Sequence, residues 1–307
     1  MGRRLIRASI HNSTPLFSVV KKRMSLPYKT YLMSAMAAGV AYKPYAEVQE
    51  GWREKSMECL KGSEECPTLY SSCPTAFPSR TVQAYSWIKD RTFYLTFRGT
   101  QGKKDILADI DVLRTYLFPQ GDRNILVHSG FLSYFQCVKG DILRKLKSSA
   151  HLFDTIHVTG HSLGGAIATI AAGVIGQVMR EAPASRAENP SEKPADIHKK
   201  RIVCHTVGSP RVGNTHFVKW FNDHVDENMR IANDDDPVTL FPISCLYTHV
   251  SESICIDDHC KVKQISKDTK WYWRLFQLPF EIDYRAPISD HSCDLYIHRL
   301  MKLVAEN

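Results

Sequence analysis

No acidic residue precedes Glu47, although 32 of the 307 residues are Asp or Glu. Arg3, Arg4, Arg7, Lys21, Lys22, Arg23, Lys29 and Lys43 fill that stretch, so the formal net charge of +8 is the charge of one end. Setting these eight aside leaves 32 of the 40 basic residues against 32 acidic ones. A nucleic-acid backbone is bound by Lys and Arg clustered on a folded surface, and a balanced remainder argues against that class of partner. No run reaches the roughly 18 uncharged apolar residues of a membrane-spanning helix, the best being 31–42. Nor does an apolar block follow the early arginines as a secretory signal requires, so an intracellular protein, soluble or peripheral to a membrane, is expected. Ile6 stands where myristoylation needs Ser or Thr. Internal repeats are absent as well.

CxxC pairs are also missing. The nine cysteines are odd in number and scattered, with Cys59, Cys66 and Cys73 early and Cys255 and Cys260 late. They read as buried reduced thiols, the alternative being one to three disulfides that a chain this long does not need for its core. Cys255, His259 and Cys260 lack zinc-ligand spacing, so no metal is expected.

What is present is the composition of a globular enzyme, with 43% hydrophobic and 23% charged residues. From residue 80 the pattern becomes regular. Residues 82–88 and 92–97 are β-branched and aromatic runs separated by Lys89-Asp90-Arg91, a strand hairpin. Residues 155–159 read as a strand, which Gly160 ends, and 163–179 as a long Ala-rich helix. Residues 181–200 are polar with three prolines and read as a surface excursion. Further strands are expected at 201–207, 230–232 and 247–250, and a helix at 291–304. Alternating strands and helices imply an α/β layered sheet. One domain over 30–307 is expected, preceded by the basic segment 1–29 as a disordered tail, a transit peptide or a membrane contact.

Gly160-His161-Ser162-Leu163-Gly164 is G-x-S-x-G placed between a predicted strand and a predicted helix, the context of a nucleophile elbow. Glycines flank the serine because the turn is too tight for side chains, and the helix N-terminus favours developing negative charge. A serine hydroxyl needs a base to take its proton and a carboxylate to fix the tautomer of that base. In the order Ser, acid, His, the carboxylate falls within Asp234-Asp235-Asp236, after the predicted strand 230–232. The base falls at His291, in Asp290-His291-Ser292.

Four blocks resemble the class 3, or fungal-type, lipase family over roughly residues 30–304: Phe97-Arg98-Gly99-Thr100, His128-Ser129-Gly130-Phe131, the run GHSLGG from Gly160, and GSPRVGN from Gly208. The resemblance implies an α/β-hydrolase-like fold, a mostly parallel central sheet flanked by helices, with a short lid after the first oxyanion-hole residue. It implies Ser162, Asp236 and His291 as triad, because Asp236-Pro237-Val238 matches the family's acid block, and an oxyanion hole from the backbone N–H groups of Thr100 and Leu163. Residues 105–109 correspond to the lid, with Ile106 where the family commonly has Trp. Arg98 reads as a structural ion-pair partner, and 129–134 and 208–214 as strand-end loops with packing roles. The activity implied is hydrolysis of carboxylic esters of lipids, triacylglycerol lipase-like, through an acyl-enzyme and with no cofactor. Phospholipase A1, galactolipase and a non-catalytic lipase-like interaction module are the alternatives. The partners implied are a lipid ester and, through the basic segment, an anionic membrane surface, with no obligate protein partner.

Overall fold

The computed structural model describes residues 16–72, 81–100, 113–181, 199–242, 244–265 and 287–307. Eight strands form one sheet in the order β1 (Thr68–Ser72), β2 (Val82–Lys89), β3 (Thr92–Phe97), β6 (Thr155–His161), β7 (Arg201–Val207), β8 (Glu227–Asn233), β9 (Ser253–Ile256) and β10 (Val262–Ile265). The five strands from β3 to β9 pair in parallel, and antiparallel β1–β2–β3 and β9–β10 ribbons close the two sides. A separate hairpin pairs β4 (Arg114–Tyr116) with β5 (Leu126–His128). The β2–β3 turn places both Asp90 and Arg91 at positive φ, the geometry that matches the right-handed twist of the strands it joins.

Period-2 alternation divides the sheet chemically. Phe93, Leu95 and Phe97 of β3, Ile156 and Val158 of β6, and Ile202 and Cys204 of β7 enter one apolar core. That core is shared with α3 (Ser129–Ser148), α4 (Leu163–Glu181) and α5 (Thr215–His224). Each large side chain buried there contributes roughly 1.5–3 kcal/mol, so this face carries most of the stability. The intervening residues include His157, Thr159 and His161 of β6 and His205 of β7. These face α1 (Leu16–Val40), which packs with α6 (Cys293–Glu306) on the second face. Histidines there are satisfied by helix α1: the Ser34 hydroxyl lies 3.0 Å from His157 Nε2 and 3.1 Å from His205 Nδ1, and Thr159 donates to the Ser34 carbonyl. Helix α2 (Tyr45–Arg53) follows α1 and joins Val48 to a smaller cluster with Tyr85 and Trp87.

Several expectations change. Residues 129–134 are the first turns of α3, not a loop: the His128 side chain caps the helix by accepting from Phe131 N–H, and Phe131, Phe135, Val138, Ile142 and Leu146 continue an apolar stripe that outweighs Gly130. Residues 247–250 are not a strand, because only Thr248 bridges, to Gly213, and it is Ser253–Ile256 that pairs with β8. Among the described residues the longest apolar helix is α4 rather than 31–42, and 78% of its most apolar window is buried, as befits the central helix of a layered fold. Strand β8 starts at Glu227, earlier than expected. The lid residues 105–109 and nearly all of the excursion 181–200 lie outside the described residues.

Two glycines on helices test this packing from opposite sides. A Cβ at Gly176 of α4 would collide with the His224 carbonyl at the end of α5, whereas at exposed Gly140 of α3 its nearest neighbour is the flexible Arg144 side chain at 3.6 Å. Gly176→Ala is expected to lower the stability by about 1–3 kcal/mol and Gly140→Ala to raise it by about 0.5–1 kcal/mol, measured by denaturant unfolding.

Candidate active site

The site forms where the parallel strands end. Ser162 lies between β6 and α4 at φ +59°, a left-handed conformation that costs a non-glycine residue on the order of 1–3 kcal/mol. Its N–H donates to Val207 and its carbonyl accepts from Gly165, so neighbouring backbone holds the strained turn. Leu163 is the first residue of α4, and an N–H in that position has no acceptor within its own helix. Thr100 follows β3, and the Gly99 preceding it packs against the Ser162 side chain, a Cβ there falling 3.2 Å from Ser162 Cβ. Leu163 and Gly99, the neighbour of Thr100, thus lie beside Ser162.

Asp236 follows β8 and caps the short 3-10 helix Pro237–Leu240, one carboxylate oxygen accepting from the Val238 N–H at 2.9 Å. Its other oxygen lies 2.8 Å from His291 Nδ1 and accepts from the Tyr296 hydroxyl at 2.6 Å. Asp236 and His291 are 2% and 3% exposed, so their bond is formed away from water. Tyr296 in turn accepts from the Asn233 N–H, and burial together with the Asp236 carboxylate pushes its phenol well above the ordinary range. Asn233 donates to the Asp290 carbonyl, which ties the end of β8 to the turn before α6. Arg211, from the 208–214 stretch, donates to the Leu240 and Pro242 carbonyls and secures the segment after Asp236; burial lowers its guanidinium to about 10.

Asp234 and Asp235 point elsewhere: Asp234 accepts from the Cys255 thiol, and Asp235 gathers with Asp258 and Asp290. Cys255, His259 and Cys260 are not brought together as a ligand group among the described residues. Arg98 donates to the Gln83 side chain and the Thr81 carbonyl, neutral acceptors in place of the expected ion pair.

The Ser162 hydroxyl and His291 Nε2 are both buried and form no hydrogen bond among the described residues. A hydroxyl and an imidazole nitrogen with no hydrogen bond of their own are the two kinds of group that a proton transfer needs. A second serine, Ser34, also sits in a Ser–His–carboxylate chain, since His205 Nε2 lies 3.0 Å from Glu227. Its chemistry differs. Ser34 is in mid-helix, fully buried, and its hydroxyl lies within hydrogen-bond distance of the Thr30 carbonyl, His157 and His205. With no positive φ, no helix N-terminus and no room for a second reactant, it serves to dock α1.

The structure also brings in two side chains that motif reading did not single out. His161 Nε2 donates to the His291 carbonyl at 2.7 Å, and its ring lies 4.6 Å from that of His291. Tyr42, just beyond α1, meets His161 Nδ1 at 2.8 Å. His161 lies within the G-x-S-x-G block, and the alternation of β6 was the signal that it faces α1; nothing local marks Tyr42.

With this geometry in view, the comparisons with known proteins are specific. Residues 94–245 match the family model described as lipase (class 3). A chloroplastic phospholipase A1 of Arabidopsis thaliana is 30% identical over 169 residues, covering 50% of this chain and 34% of that protein. A lipase of Rhizopus niveus is 34% identical over 190 residues, covering 60% of this chain and 43% of that protein. The chain therefore spans between a third and a half of the length of these curated relatives. The solved structure of a Rhizomucor miehei triacylglyceride lipase superposes with a TM-score of 0.62 at 20% identity over 88% of this chain and 93% of that one, a likeness of fold. Its mostly parallel sheet, its serine turn between strand and helix and the matched block from β3 to beyond Asp236 place this chain in the class 3 lipase family.

Proposed function

We propose that this chain is a serine hydrolase that cleaves carboxylic esters of lipids through Ser162, His291 and Asp236. The observation that carries the reading is the buried Asp236–His291 hydrogen bond beside a buried, unsatisfied Ser162 hydroxyl. Asp236 fixes Nδ1–H on His291, which leaves Nε2 to take the Ser162 proton as Oγ attacks the ester carbonyl. The tetrahedral oxyanion is received by the N–H groups of Thr100 and Leu163, and the helix N-terminus adds favourable potential. His291 then returns the proton to the departing alcohol, and water activated by the same base hydrolyses the acyl-enzyme. Each residue here supplies a proton, a proton acceptor or a dipole, so the reaction is complete without a cofactor.

Acylglycerols are the proposed substrates. Phospholipid esters are the second reading, favoured by the phospholipase A1 that matches half of this chain. Product mass from a panel of triacylglycerol, phospholipid and galactolipid esters separates them. A binding module without catalysis is excluded if a fluorophosphonate probe labels Ser162, and is supported if it does not.

Ser162→Ala is expected to lower kcat by at least about 10³-fold with the fold intact by circular dichroism; retained ester hydrolysis overturns the assignment. Asp236→Asn is expected to cost about 10²–10⁴-fold in kcat, whereas Asp234→Asn and Asp235→Asn cost far less, because one carboxylate alone meets His291. A severe Asp235→Asn variant would instead move the acid by one position.

The first 29 residues hold seven of the eight early positive charges, and we propose that they bring the enzyme to anionic lipid surfaces, at about 1 kcal/mol per Lys or Arg at low ionic strength. Because residues 16–29 belong to α1, the charges are tested by substitution: replacing Arg3, Arg4, Arg7, Lys21, Lys22, Arg23 and Lys29 with Gln is expected to leave hydrolysis of a short soluble ester nearly unchanged while reducing salt-sensitive co-sedimentation with anionic vesicles. Equal binding by both proteins, or binding indifferent to lipid charge, rejects the surface role.

A further inference from the structure

We propose that Tyr42 is a positioning residue for this reaction: one phenol fixes the tautomer of His161 and, through it, the backbone that carries His291, while also bracing the loop that carries Thr100. The inference rests on the serine-hydrolase reading above.

The proton bookkeeping follows from one acceptor. A carbonyl oxygen has no proton to give, so the 2.7 Å bond to the His291 carbonyl puts a proton on His161 Nε2. Full burial and the neighbouring His291 keep the His161 ring well below the ordinary imidazole range, hence neutral. In a neutral ring with Nε2–H, Nδ1 is bare and accepts, so Tyr42 is the donor in the 2.8 Å contact. Donation from Tyr42 therefore selects the tautomer that can hold His291. Selection matters because the other tautomer would aim a bare Nε2 at the carbonyl, lone pair against lone pair, at the residue that must move a proton.

The same hydroxyl also packs against Gly99, where an added Cβ would fall 2.4 Å from it. Gly99 is wedged between the Tyr42 hydroxyl and the His161 carbonyl, where no Cβ fits, and the next residue is Thr100. One oxygen thus sets the spacing between the expected oxyanion donor, the residue preceding the nucleophile and the backbone of the base. Tyr42 itself is held by its own N–H to Gly39 at the end of α1, whose Ser34 is bonded into β6 and β7. A helix far from the motifs in sequence is in this way coupled to the catalytic geometry.

Tyr42→Phe keeps the ring and removes the hydroxyl that meets His161 and packs on Gly99. In the full-length protein, with active serines counted by fluorophosphonate titration, kcat per active serine on a short soluble ester is expected to fall about tenfold, equivalent to roughly 1.4 kcal/mol, with KM within about twofold. Wild-type protein that the probe does not label refutes the hydrolase reading itself. Labelled wild type with an unchanged kcat per active serine in Tyr42→Phe refutes only the positioning role, as does a loss explained by fewer folded molecules. Should Tyr42→Phe not fold, the 15N signals of His161 in the wild-type protein decide: a protonated Nε2 with a bare Nδ1 is expected, and the opposite tautomer overturns the proposal.

Discussion

The carbonyl of Phe97 at the end of β3 lies so close to Gly164 in the first turn of α4 that a Cβ has no room between them. That contact sets the height of the helix above the sheet, and the rest of the site inherits it. With α4 seated this low, the chain has one residue in which to turn from strand into helix, and Ser162 takes the left-handed conformation that such a turn demands. The same strand end continues into Gly99 and Thr100, so the proposed oxyanion donors Thr100 and Leu163 follow from one approach rather than from two independent loops. Steric exclusion at a glycine is cheap and rigid, and it places reactive groups more accurately than a long side-chain bridge could.

The sheet answers two requirements with its two faces. Toward α3, α4 and α5 it is aliphatic and aromatic, and burial there provides stability without direction. Toward α1 it presents His157, Thr159, His161 and His205, whose bonds are directional and each costly to leave unmade. A polar face with its histidines bonded specifies where α1 sits more narrowly than an apolar one would, because a shift along the helix would orphan several buried groups at once.

How much of this is legible in the sequence follows from how far apart the partners are. The serine turn is readable because strand, glycines and helix are contiguous, and the Asp and His candidates because chain order and nearby element ends bracket them. Choosing Asp236 from three adjacent aspartates needed the family's pattern; the structure distinguishes them by what each touches, the Cys255 thiol for Asp234 and His291 for Asp236. The start of α3 was misread because Ser129-Gly130 looks like a loop until the capping side chain of His128 is seen. Strand β9 was misplaced because four residues hydrogen-bonded to β8 carry too short a pattern to be recognised alone. Tyr42 was invisible, since its partner lies 119 residues away and no local rule links a tyrosine beyond one helix to a histidine ending a strand.

The distance between α1 and its partners also bears on how the chain is made. Ser34 waits for His205, 171 residues later, and the Ala35 carbonyl for the Cys293 thiol, 258 residues later. At ribosomal speeds of about 5–20 residues per second, that is an interval on the order of 10 to 50 s in which Ala35 lacks Val207, Tyr296 and Leu300, the side chains that cover it. The helix that docks against the last helix is thus the earliest of the described elements to leave the ribosome and among the last to find its place. Chaperones that shield short apolar segments would have α1 as a client until α6 is made, and the site would stay unbraced until then.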